Sequence, residues 1–118
     1  MSIKRIKPGP RMSQAVVYNG VVTTAGQVGL NAAGESATNQ TKDILKNIDG
    51  LLAEAGTNKS CLLTATIWLS DMENFNEMNE VWDAWIDKEA PPTRACVESK
   101  LASPKFVVEI KVTASVSS

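Results

Sequence analysis

The stretch Leu62 to Leu69 (LLTATIWL) restricts the fold more than any other part of this chain. It is almost continuously apolar, with Thr64 and Thr66 on one face, which suits a strand buried between neighbours. Helical spacing brackets it on both sides. From about Ser36, Ile44, Ile48, Leu51, Leu52 and Ala55 recur at a helical period until Gly56 supplies a C-terminal stop. After the strand, Ser70 and Glu73 have the spacing of a capping box. The helix they open has the stripe Phe75, Met78, Trp82, Trp85 and Ile86, and it ends before Pro91-Pro92. Asn79 lies on that stripe, so its amide points to the apolar side and needs partners.

Two further strand regions complete the sheet. At the N-terminus, Ser2 to Lys7 reads as a short edge strand closed by Pro8-Gly9-Pro10. Ala15 to Tyr18 and Val21 to Ala25 flank Asn19-Gly20, the strongest short hairpin signal. Gly29 to Gly34 has loop chemistry and no strand. At the other end, PPTRACVESKLASPKFVVE holds two strand-like runs, Thr93 to Ser99 and Phe106 to Ala114, around a polar connection with Pro104. This spacing predicts a second hairpin. Arg94, Cys96 and Glu98 share one face of its first run; Val108, Ile110 and Val112 form the apolar set of the second, opposite Glu109, Lys111 and Thr113. With a turn near Leu101 or Ala102, antiparallel pairing sets Arg94 across from Glu109, beside the Cys96 thiol.

The expected architecture is therefore α+β in two layers: a small sheet with two helices on one face. The opposite face carries Val, Ala and Thr side chains that this chain has nothing to cover, which points to a homo-oligomer. On size, residues 1–118 form one domain.

Composition narrows the chemistry. Twelve basic and 13 acidic residues give a formal net charge of −1, so the electrostatic footprint of a nucleic-acid binder is absent. No apolar run approaches bilayer length and the basic N-terminus has no apolar segment behind it, so no membrane association and a cytoplasmic location are expected. Cys61 and Cys96 read as reduced thiols. The chain has no histidine, which removes the commonest general base, every Ser-His or Cys-His pair and most zinc sites. Neither phosphate-binding glycine loops nor metal-ligand spacing is present, so no nucleotide site and no metal are expected.

What remains is a small polar pocket for an anion. Arg94 can grip a carboxylate through a two-pronged fork or snorkel into water at a strand edge. Glu109 reads equally as a general acid/base or water-positioning carboxylate and as a structural partner for Arg94. Cys96 can be a nucleophile or a small packing residue. Asn79 can hold a ligand or tie down a loop carbonyl. The tryptophans at 68, 82 and 85 read as core or interface area.

These residues resemble the Rid family, the RidA or YjgF-type reactive-intermediate deaminases. The likeness rests on Gly26-Gln27, the helix with Asn79, the run Pro92-Thr-Arg94-Ala-Cys96-Val-Glu98 and Val108-Glu109-Ile110, and it covers nearly the whole chain. It implies a chorismate-mutase-like α+β fold assembled as a homotrimer, with active sites in the clefts between subunits. It also implies cofactor-free hydrolysis of enamine and imine acids to keto acid and ammonia. Carried over to this chain, Arg94 grips the substrate carboxylate, the Cys96 backbone and the Glu109 carboxylate hold the attacking water, and Asn79 supports them. Two positions depart from the deaminase pattern: Met12 stands where a tyrosine is usual, and Ala25 where the pattern reads Ser-Gly-Gln. Both line the implied pocket. Arg11, beside Met12, adds a second cation suited to a larger or doubly charged acid. A trimer that binds carboxylate metabolites without turning them over is the alternative.

Overall fold

Alternating residues that can bury one side and expose the other let a single strand join two halves of a sheet, and β7 (Val108–Ser115) does so. Val108, Ile110, Val112 and Ala114 are fully buried, and the strand pairs with three others. The protein is described here by a computed structural model covering residues 2–116. Its sheet runs β1 (Lys4–Pro8), β2 (Ser13–Tyr18), β3 (Val21–Thr24), β7, β5 (Leu62–Leu69), β6 (Thr93–Glu98), with β4 (Gln27–Val28) also pairing with β7. Helices α1 (Ala37–Glu54) and α2 (Phe75–Trp85) cover one face, giving the expected two-layer α+β architecture.

Local chemistry accounts for most of these elements. Asn19 and Gly20 both have positive φ, 54° and 79°, as the tight β2–β3 hairpin requires. The Ser36 side chain caps α1 by accepting the Asn39 N–H at 3.1 Å, and Gly56, at φ 88°, follows its end. Ile44, Ile48 and Leu52 of α1 and Met78 of α2 are buried against Ile67, Leu69 and Ile110 of the sheet. β5 is central, as its composition demands, with β7 antiparallel on one side and β6 parallel on the other. No helix among the described residues is long and apolar enough to cross a membrane.

Two expectations need correction. The C-terminal hairpin does not form: β5 lies between β6 and β7, so Arg94 pairs with Ala65 and Glu109 with Trp68. The connection, residues 99–107, is longer than a usual hairpin loop and steps over the end of β5. There the Ser99 N–H donates to Leu69 O at 2.9 Å and the Ser70 N–H to Val107 O at 3.0 Å. The second helical region is capped one residue later than the Ser70–Glu73 spacing suggests, because the Asp71 side chain accepts the Glu73 N–H at 2.9 Å and opens a single turn (Met72–Asn74) ahead of α2. Gly29 to Gly34 lacks a strand, as expected, and the two residues before Gly29 form β4.

Between β3 and β4 the pairing with β7 slips. Thr23 faces Thr113 and Gln27 faces Ile110, so four steps along one strand match three along the other. This is a β-bulge, and it bends the chain at Ala25-Gly26. The Thr24 hydroxyl accepts the Val112 N–H at 3.1 Å, replacing a ladder bond lost there.

Candidate functional site

Residues paired across a ladder share a face, so the partners on β5 fix where the site residues point. Arg94, Cys96 and Glu98 pair with Ala65, Ile67 and Leu69, which are buried on the helix side. Glu109 pairs with Trp68, three residues from Ala65 and on the opposite face. Arg94 and Glu109 are therefore separated by β5, about 10 Å across the sheet by strand spacing, and emerge on its two sides. The candidate residues fall into two groups, here called half-sites, one on each side of the sheet.

The first half-site is built around Arg94. Its Nη1 donates to Asn79 Oδ1 at 2.7 Å, and its Cζ lies 5.5 Å from the Trp82 ring centroid and 6.0 Å from that of Phe75. The α2 stripe thus orients the guanidinium against two aromatic faces while the residue stays exposed. An arginine held this way keeps further N–H donors available for a carboxylate. Cys96 is half-buried on the same face. Burial pushes its thiol pKa up, only partly opposed by the charge of Arg94, which favours the thiol over the nucleophilic thiolate. Beyond Glu98, the 99–107 connection borders an open pocket of about 870 Å³ lined by Ser70, Lys100, Leu101 and Phe106.

The second half-site surrounds Glu109. Directly across from it are Trp68 on β5 and Val28 on β4, and Gly26 lies against its carboxylate. Burial raises the pKa of this carboxyl group. The neighbouring bulge is tied down by Gln27, whose Nε2 donates to Gln14 Oε1 at 3.0 Å and to Ala25 O at 3.1 Å; the Ala25 N–H donates to Gln14 O at 2.8 Å. Ala25 belongs to this half. Met12 is 48% exposed just ahead of β2, and Arg11 beside it is exposed.

Asn79 is thus brought to Arg94, and Ala25 to the neighbourhood of Glu109, but the predicted Arg94–Glu109 contact is absent within the chain. Sequence reasoning missed Trp82 and Phe75 as the platform for Arg94, and Gly26 as the neighbour of Glu109. The helical stripe did show that Asn79, Phe75 and Trp82 share a face; nothing in the spacing showed that β6 would run beneath them.

The Endoribonuclease L-PSP family model matches residues 2–116. A RutC family protein from Haemophilus influenzae is 46% identical over 97% of this chain and 98% of its own length. RutC family protein YoaB from Escherichia coli is 40% identical over 98% and 100%. The crystal structure of a YjgF family member from Neisseria meningitidis superposes with a TM-score of 0.96 at 47% identity, covering 100% of this chain and 98% of that one. Fold, length and sequence agree, and the chain belongs to the YjgF/RutC family of the Rid superfamily.

Proposed function

We propose that the protein is a hydrolytic deaminase of enamine and imine acids, a single Rid-type domain working as a homotrimer with its active sites between subunits. The observation that carries this reading is the placement of a pre-oriented Arg94 and a partly buried Glu109 on opposite faces of one sheet. A second copy docked against the uncovered face supplies the missing half to each. Arg94, steadied by Asn79, binds the substrate carboxylate and sets the imine carbon over the Cys96 backbone. Water adds to the protonated imine as one of its protons passes to the Glu109 carboxylate. Glu109 delivers that proton to nitrogen, then accepts the hydroxyl proton as the C–N bond breaks, giving keto acid and ammonia. Its last proton returns to water. A carboxyl group with a raised pKa suits this relay near neutral pH, and placement of an already electrophilic carbon supplies much of the rest.

Met12 and Ala25, where the deaminase pattern has hydroxyls, favour a second reading: a trimer that binds carboxylate metabolites without turnover. Arg11 near Met12 directs either form towards larger or doubly charged acids. The family model's endoribonuclease description belongs to that family; the net charge of −1 here gives little electrostatic support for binding RNA.

Imines generated by an amino-acid oxidase or a dehydratase separate the readings. Hydrolysis faster with the protein than without it is expected. No acceleration across several substrates, with keto acids still binding in calorimetry, would overturn the enzyme reading. Subunit mixing tests the shared cleft: Arg94→Ala and Glu109→Ala chains, each inactive, are refolded together in equal amounts. About one quarter of the clefts then receive both intact halves, and activity returns in proportion. No recovery would refute an inter-subunit site.

A further inference from the structure

Glycine at position 26 is not required by the backbone. Gly20, Gly34 and Gly56 have positive φ, where other residues are strained, whereas the φ of Gly26 lies outside that region. The constraint at Gly26 is spatial. A Cβ there would overlap Oε2 of Glu109 and lie 2.9 Å from its Cδ and 3.2 Å from its Cγ. The backbone cannot retreat easily, because the bulge is fastened on both sides: Thr24 holds the Val112 N–H, and Gln27 and Gln14 hold Ala25. The carboxylate is what must yield.

We propose that Gly26 is a positioning residue, a bare Cα against which the Glu109 carboxylate is seated for its part in the reaction. This rests on the catalytic role assigned to Glu109 above. The bulge is what makes the seat, since its extra residue carries Gly26 out of the regular ladder and up to the carboxylate. Around Glu109, Trp68 on β5, Val28 on β4 and Gly26 itself do not titrate, and Lys111, two residues along β7, is the charged group on the same face of that strand. Burial raises the Glu109 pKa, consistent with a carboxylate pressed onto a surface of backbone and apolar side chains.

Gly26→Ala is the test, alone and combined with Glu109→Ala, in the full-length protein. The obstructing atoms are the tip of a side chain, so Gly26→Ala should fold and displace the carboxylate. Followed by NMR with labelled glutamate, the Glu109 carboxyl should titrate above an ordinary glutamate in the native protein and move down in Gly26→Ala. Imine hydrolysis should fall about 100-fold, the scale of a misplacement of about 1 Å, and any lowering of Tm by Gly26→Ala should vanish in the Glu109→Ala background, where no carboxylate is left to displace. An unmoved Glu109 titration, or an equal fall in Tm in both backgrounds, overturns the proposal. So does a loss of fold that Glu109→Ala fails to repair. If the native protein hydrolyses no imine, the functional reading fails, while titration and fold repair still decide the seat.

Discussion

Gln40 ties the connection between β6 and β7 to the first helix, and replacing it by methionine isolates what that tie contributes. The side chain is fully buried on α1. Its Nε2 donates to Lys105 O at 2.8 Å and to Glu35 O at 3.0 Å, while its Oε1 accepts the Val107 N–H at 2.9 Å. Methionine has nearly the same volume and makes none of these bonds, so the substitution removes hydrogen bonding without opening a cavity. Lys105 O retains a bond from the Gly34 N–H at 2.9 Å, but the Val107 N–H loses the acceptor that Gln40 provides. Three bonds at roughly 1 kcal/mol each, with about 1 to 3 kcal/mol more for the stranded donor, place the loss at about 4 to 6 kcal/mol. Urea unfolding at a fixed protomer concentration should show it as a lower midpoint with an unchanged slope. The Val107 amide, two residues before Glu109, should lose hydrogen-exchange protection. A cost below about 1 kcal/mol with Val107 still protected would refute the assignment of these bonds to stability.

Three further outcomes follow from the half-sites and the bare face. Arg94→Lys keeps the charge but loses the fork, and calorimetry should show keto-acid affinity falling about tenfold to 100-fold; native affinity would rule out the clamp. Because burial raises the Glu109 pKa, the folded state holds that proton more tightly than the unfolded chain. Its contribution to stability is therefore complete below the unfolded pKa and is lost as pH rises through the folded one. Glu109→Gln, uncharged throughout, should gain thermal stability relative to the parent as pH rises from acid to neutral, and a gain in the opposite direction would contradict the burial. Val97→Lys, on the open face of β6 where the residue is 46% exposed, should fold yet sediment as a monomer; an unaltered oligomer would show that this face is not the contact.

Much of the architecture was legible because local signals acted alone. Asn19-Gly20 needed only its own φ preferences to make a hairpin, and α1 needed only its stripe, Ser36 and Gly56. The face alternation of Val108 to Thr113 also held. What failed was neighbourhood. Alternation assigns β6 and β7 their faces, but it cannot say whether a nine-residue stretch turns back at once or passes over a third strand. The two cases differ in long-range contacts, such as Gln40 with Lys105 and Val107, which leave no periodic trace. The same error joined Arg94 to Glu109. Asn79 was recognisable because an amide on an apolar stripe needs a partner, whereas the tie between Gly26 and Glu109 depends on a bulge created by strands far apart in sequence.

The corrected topology gives β6 two duties that bear on each other. It is the last strand of the sheet, and an uncovered edge invites pairing with another chain. It also carries Arg94 and Cys96, with Thr93, Ala95 and Val97 turned towards the bare face. Its two charges, Arg94 and Glu98, lie on the helix side, and the side turned to the bare face, Thr93, Ala95 and Val97, has neither charge nor proline to shield it. Closing that edge would also, under the proposed function, close the approach through which a second copy brings its Glu109. Under the proposed function, exposure of β6 is a condition of having a complete site, and the chain's stability as an isolated unit is subordinate to its assembly. Substitutions along β6 should therefore affect association and turnover together, even where they touch neither Arg94 nor Cys96.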